Sequence, residues 1–300
     1  MKFAIHIATK NRKEDLLLTL EQVYSFLENL EVECVVFDDG SDDGSSEAVQ
    51  NNFPKIKLHR NETSRGYIYC RNIMLNETQA DVAISLDDDA HFLSQNPFEI
   101  IQNYFNKNPK CGLIAFRIFW SKVAPQSNQT KAIPERVKSF VGCGHAWRME
   151  AWRSISSYPE WYEFYGEESF ASLQLFKNNW EIHYLPQVFI QHRVDLKQRK
   201  NFGQDFTLRY RRGLRAGWYN VFLFYPLPKV IQFFLYSIWM QLKTKILKGQ
   251  FKVVSPILGA LWDLLLVSPK IIKYRTAFTP QEFKDYAKLK EPKIYWKPEN

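Results

Sequence analysis

Apolar and polar positions alternate in blocks along the first two-thirds of the chain. Residues 3–8, FAIHIA, form an apolar run ending in Thr9, Lys10, Asn11 and Arg12, after which Leu16, Leu17, Leu20, Val23, Tyr24 and Leu27 recur at helical spacing. This predicts strand, loop, helix. The same order returns as VECVVFDD (32–39), the turn GSDDGSS, a helix over 47–52 and a strand over 55–60. A further helix over 66–77 then precedes VAISLDDD (82–89). Strands alternating with helices predict βαβ units, an α/β fold and a largely parallel sheet. In such sheets ligands gather at the carboxyl ends of the strands. Asp38-Asp39 and Asp87-Asp88-Asp89 both fall at such ends.

The middle of the chain is less regular. A helix near 97–107 and a strand over 112–120 are followed by a polar loop over 121–133. In FVGCGHAWRMEAWRSI (140–155) two glycines precede a helical pattern, as at a strand-to-helix turn lining a site. Residues 162–180 read as a helix opened by acids, and EIHYLPQVFIQHRVD (181–195) as strand, proline, strand, ending in His192.

Charge divides the 300 residues sharply. The total of +8 combines a first part, up to Asp195, with 20 basic and 26 acidic residues, and a remainder with 20 basic and 6 acidic ones. The net charges are −6 and +14, which argues for two roles in one chain and against a uniformly basic nucleic-acid binder. The basic part holds two apolar runs, 230–242 and 253–267, flanked by lysines. Thirteen residues at ~1.5 Å rise span ~20 Å, short of the ~30 Å of a bilayer core. Such helices suit the surface of an anionic membrane, or packing on the catalytic part or on a second copy.

Cys34, Cys70, Cys111 and Cys143 show no C-x-x-C pairing and read as reduced thiols of a cytosolic protein. The N-terminus lacks the apolar core of a signal peptide, so the N-x-T sequons at Asn61, Asn76 and Asn128 are expected to be unmodified.

Three adjacent carboxylates at a strand end repel one another, and a divalent cation bridging to phosphates would compensate. Asp87 and Asp89 would share one side of the strand and Asp88 the other. Taken alone, the triplet is equally a solvated acidic turn. Likewise FDDGSDDG (37–44) could accept hydrogen bonds from a ribose or base, or be an ordinary Asp/Gly turn.

Order and spacing add what the pieces lack. Residues 3–195 resemble the family-2 glycosyltransferases of GT-A fold, including bacterial polysaccharide and rhamnosyltransferase-like members. The resemblance rests on A-T-K-N-R (8–12), D-D-G-S (38–41), G-x-x-x-x-R-N (66–72), L-D-D-D-A (86–90), G-C-G-H-A-W-R-M-E-A (142–151), Y-G-E-E (165–168) and Y-L-P-Q-V-F-I-Q-H (184–192). It implies a nucleotide-binding part over about 1–93 and an acceptor-binding part over about 94–195; residues 196–300, by their charge and apolar runs, read as a basic, aromatic helical region that associates with the membrane surface. Thr9, Asn11, Arg12, Asp38, Asp39, Arg71, Asp87 and Asp88 would bind the donor. Asp89 and His192 would hold Mn²⁺ or Mg²⁺. Gly144, His145, Trp147 and Glu167 would meet the acceptor, and Glu168 would act as general base.

The implied reaction is inverting, metal-dependent transfer from a UDP-, dTDP- or GDP-sugar to a glycan or lipid-linked acceptor in cell-surface polysaccharide synthesis. It would occur at the inner face of the cell membrane, by a chain that could dimerise and binds no nucleic acid. Three positions depart from the family pattern: Glu168 where Asp is common, Gln174 where Arg is common, and Ala8 for Pro. R-A-G-W-Y-N-V-F-L-F-Y-P (215–226) resembles a downstream family segment with Ala216 in place of Asn. Two competing readings are a basic aromatic nucleic-acid binder and an inactive partner subunit. Against them, the aromatics cluster in apolar runs instead of alternating with cations, and the acidic positions are all retained.

Overall fold

The computed structural model describes residues 1–28, 31–194 and 206–293. Its first half follows the block pattern. Strands β1 (Phe3–Thr9), β2 (Val32–Asp38), β3 (Lys57–Arg60) and β4 (Val82–Asp87) run parallel in the order β3-β2-β1-β4. Helices α1 (Lys13–Tyr24), α2 (Ser45–Asn52) and α3 (Tyr67–Glu77) make the crossovers. β1 is covered on both faces, which explains its unbroken apolar run.

The second half turns the sheet mixed. β5 (Ala90–Phe92), α4 (Pro97–Lys107), β6 (Cys111–Trp120), β7 (Glu135–Val137), β8 (Gly144–Arg148), α5 (Met149–Arg153), α6 (Glu167–Lys177) and β9 (Glu181–His192) follow in sequence. The nine-stranded sheet continues β4-β8-β6-β9-β5, with β7 also beside β9. β8 runs antiparallel to both β4 and β6, so the glycine pair at 142 and 144 leads into a strand before the short helix α5. A Cβ on Gly144 would lie 2.1 Å from Ile190 Cδ1, so any larger residue at the start of β8 would force that buried side chain of β9 to shift. Pro186 does not divide β9; its register against β6 shifts between Phe116 and Arg117, a bulge that absorbs the missing donor.

The carboxyl-terminal region adds α7 (Phe206–Phe224), α8 (Leu227–Thr244), α9 (Val254–Tyr274) and α10 (Pro280–Ala287). Ala216, Tyr219, Leu223, Phe224, Ile271, Phe278 and Tyr286 share one core with Ile68, Trp147, Phe170 and Tyr184 of the sheet-bearing part. Lys138 N–H donates to Lys290 C=O at 2.9 Å, tying the chain end to β7. The apolar helix is longer than the uncharged run suggests. Phe251–Tyr274, 24 residues, is long and apolar enough to cross a membrane by length and composition, correcting the length argument from the sequence. The boundary at 195 and the cations Lys197, Arg199 and Lys200 lie outside the described residues.

Candidate active site

At the carboxyl ends of β1, β2 and β4 opens a cavity of about 700 Å³, closed on the other side by 141–143, by 163–168 and by Arg212 of α7. Thr9, Arg12, Asp39, Arg71, Asp87, Asp88, Glu167, Glu168 and His192 line it. Residues spread over 180 positions thus meet in one place because the sheet brings strand ends together.

On one side lie the carboxylates. Thr9 Oγ1 donates to Asp88 Oδ2 at 2.9 Å, and Arg12 Nη2 to Asp89 Oδ2 at 2.6 Å. Antiparallel pairing of β5 with β9 sets Ala90 against His192, which brings His192 Nε2 to 2.8 Å from Asp89 Oδ1 and 3.7 Å from Asp87 Oδ2. Burial alone would raise the Asp89 pKa, yet His192 and Arg12 together hold it well below the usual carboxylate range. Burial pushes Asp88 up to about 7, against the pull of Arg12.

Atoms of Asp87, Cys143 and His192 able to bind a metal lie within 4.8 Å of one another. Asp89 lies behind this group, its carboxylate paired with Arg12 and His192; of the group itself, the Asp87 carboxylate and the His192 imidazole are donors of a kind that suits Mn²⁺ or Mg²⁺.

On the other side lie Glu167 and Glu168, at the start of α6. Glu167 is buried and accepts the Tyr67 hydroxyl proton at 2.5 Å. Glu168 is half-buried and lines the cavity; burial and the like charge of Glu167 hold its pKa above the ordinary value. Between the two sides stands Arg71. Its Nη2 donates to Asp87 Oδ1 at 2.7 Å, and its Nη1 lies 3.7 Å from Glu167 Oε1.

Asp38 and Asn11 lie outside the cavity, and Asp39 stands at its edge. Asp38 is fully buried and closes its own turn, accepting from Ser41 N–H at 2.8 Å and from the Ser46 hydroxyl. Asn11, at φ 52°, joins that turn to the β1 loop by accepting from Asp42 N–H at 2.9 Å. Asp39 reaches the cavity edge, but its carboxylate already accepts from Asn61, Ser64, Arg65 N–H and Gly66 N–H. Burial raises its pKa and these donors outweigh that, leaving it lowered. It shapes the 61–66 loop.

Gly144, His145 and Trp147 are not brought to the cavity. All three belong to β8 and are buried, His145 and Trp147 completely. Burial pushes the His145 pKa down to about 3. Gln174 turns away, bonding both N–H and C=O of Ser156.

The expected site-lining role of the glycine pair holds for Gly142, while sequence reasoning missed Tyr67, Cys143 and Arg212. Tyr67 follows Gly66 within the 66–72 segment already singled out, which was a usable signal. Arg212 had none, since it comes from the carboxyl-terminal helices.

The family model for glycosyl transferase family 2 matches residues 4–154. No curated protein matches the chain. Among solved structures, GalNAc-T7 with UDP, GalNAc and Mn²⁺ is similar at a TM-score of 0.53 and 18% identity, covering 65% of this chain and 44% of its own. S. aureus TarS is similar at 0.52 and 17%, covering 70% of this chain and 38% of its own. The mannosyltransferase PcManGT from Pyrobaculum calidifontis, with GDP-Man and Mn²⁺, reaches 0.54 at 13% and covers 95% of this chain and 78% of its own. The chain thus spans less than half of the GalNAc-T7 and TarS structures. Identities this low speak to the fold they share with it.

Proposed function

The chain belongs to glycosyl transferase family 2, with a GT-A fold, and from that premise we propose that it moves a sugar from a nucleotide-sugar donor to an acceptor hydroxyl with inversion at the anomeric carbon. The observation that carries this reading is Arg71, bonded to Asp87 at 2.7 Å and 3.7 Å from Glu167, between an Asp-His cluster and a carboxylate of raised pKa.

In this reading Asp87, Asp89 and His192 hold a divalent cation, which when bound supplies positive charge to the departing diphosphate. Arg71 adds a fixed cation nearby. Glu168 takes the proton of the acceptor hydroxyl as its oxygen bonds to C1 and the C1–oxygen bond to the diphosphate breaks. A carboxylate of raised pKa binds the proton more strongly once it is deprotonated, and is deprotonated in a smaller share of molecules near neutral pH. Glu167, fixed by Tyr67, orients the acceptor. Mn²⁺ and nucleotides in the GalNAc-T7 and PcManGT structures support the same class of donor and cofactor here.

The acceptor is read as a glycan or lipid-linked sugar in polysaccharide synthesis, met at the inner membrane face. Support comes from α8 and α9, which expose Ile231, Leu235, Trp239, Leu258, Trp262 and Leu265 between exposed lysines 243, 248, 252, 270 and 273.

The test uses the full chain with Mn²⁺ and a panel of UDP-, dTDP- and GDP-sugars. Asp89→Asn should weaken nucleotide binding by about tenfold or more. Glu168→Gln should keep binding and lose about 10²–10⁴-fold in transfer. Absence of binding to every donor, or unchanged transfer in Glu168→Gln, overturns the proposal.

A further inference from the structure

Just before the candidate base the backbone takes an unusual course. Glu163, Tyr165 and Gly166 have φ of 62°, 70° and 87°. Only glycine adopts this region freely, so two of the three positions are strained and need surroundings that fix them. Those surroundings come from the carboxyl-terminal helices. Arg215 of α7 donates from Nη2 to Tyr162 C=O at 2.9 Å and to Glu163 Oε2 at 2.7 Å. Asn220 of the same helix donates to Gly166 C=O at 3.0 Å and accepts from the Tyr162 hydroxyl at 2.8 Å. A Cβ on Gly166 would lie 2.8 Å from Ala216 Cβ, so the loop rests directly on α7.

Arg215 is itself held from α9. Asp263, the one acid in that apolar helix, is buried, accepting from Arg215 Nη1 at 3.1 Å and from Arg211 Nε and Nη2 at 2.7 and 2.5 Å. A buried carboxylate in an apolar helix is costly unless it is fully paired, and here two guanidiniums pair it. Its neighbours Trp262, Leu265 and Leu266 face outward and are exposed. Asp263 therefore connects the outer helix through Arg215 to Glu163, five positions before Glu168.

We propose that Asp263 is a positioning residue for transfer: through Arg215 it sets the 163–166 loop, and with it the start of α6 that carries Glu167 and Glu168. Asp263 does not line the cavity. The inference rests on the proposed function in taking Glu168 as the base, and it gives the carboxyl-terminal helices a part in the chemistry as well as in placing the enzyme.

The experiment compares the full chain with Asp263→Asn, Asp263→Glu and Glu163→Ala. Asp263→Asn should lower kcat about tenfold or more while leaving the nucleoside diphosphate Kd, with Mn²⁺, within about twofold. Amide exchange should quicken at 163–168 and stay unchanged at 82–87, and Asp263→Glu should recover part of the rate. Glu163→Ala removes the acceptor of Arg215 at an exposed side chain and decides the matter if Asp263→Asn does not fold. It should lower kcat and quicken exchange at 163–168 with an unchanged melting temperature. An unchanged kcat in Glu163→Ala, or a parallel loss of nucleotide affinity in Asp263→Asn, overturns the proposal. If the unaltered chain transfers no sugar, the functional reading fails separately. Exchange at 163–168 then decides alone, and no change in either variant overturns the link.

Discussion

Gly142 and the Glu168 carboxylate leave no room between them for one more carbon: a Cβ on Gly142 would lie 2.5 Å from Glu168 Oε1 and 3.1 Å from Arg71 Nη1. The clash falls on the tip of a flexible side chain, so Gly142→Ala should displace the carboxylate at little cost to the fold. The expected outcome is a fall of about tenfold or more in kcat, with a change in stability of less than about 1 kcal/mol. Steady-state kinetics beside thermal unfolding checks it. A variant with full activity means that Glu168 does not need its observed place.

The like charge of Glu167 helps hold the Glu168 pKa up, after burial itself. A base works deprotonated, so the rate should fall as pH drops through that raised pKa. Glu167→Gln removes the neighbouring charge while leaving a group that can accept from Tyr67. Its kcat profile should keep its shape with the acidic limb moved to lower pH. A limb that stays in place, or moves up, counts against the Glu167–Glu168 coupling.

Trp239 and Trp262 are 52% and 59% exposed on the outer faces of α8 and α9. The chain should float with vesicles containing about 30% anionic lipid and float less with neutral ones. Changing both tryptophans to Glu should abolish flotation and alter stability by no more than about 0.5 kcal/mol, because neither side chain is in the core. If the unaltered chain stays with the soluble fraction, the membrane reading fails. Sedimentation without lipid then shows whether a second copy covers the face.

His6 is buried in β1, neither ring nitrogen has a hydrogen-bond partner among the described residues, and burial, helped by His59, pushes its pKa from 6.5 to about 3. The folded chain refuses a proton that the unfolded chain accepts. Its contribution is therefore intact above about pH 6.5 and lost progressively below it, by about 2 kcal/mol at pH 5. His6→Val should flatten the fall in melting temperature between pH 7 and 5. Parallel curves for the two chains would assign the acid sensitivity elsewhere.

How much of this was legible beforehand differs by residue. Asp87, Asp88 and Asp89 were readable because an apolar strand must end where carboxylates begin, and Glu168 because acids open a helix. His192 was readable as a strand end, and only the family resemblance set it beside Asp89: the three residues of β5 that pair with β9 are too few to show a period. Gly144, His145 and Trp147 looked like a site-lining turn because a glycine pair before a helix is ambiguous; the second glycine instead begins a buried strand, with Ile190 packed where its Cβ would lie. Asp38 and Asp39 could not be told apart by position, since each is a strand-end acid. The donors around them separate the two.

The sequence by itself determined the alternation of strands and helices, the strand ends where the acids gather and the contrast between the −6 and +14 parts. These follow from local periodicity and charge, which act over a few residues. Only the tertiary structure decided which charges face one another. It joined Asp89 to His192 and Arg12, set Arg71 between Asp87 and Glu167, and ran a link from Asp263 to the loop before Glu168. Strand register, burial and ion pairing depend on residues far apart in the chain, and the pattern along a single segment carries no record of them.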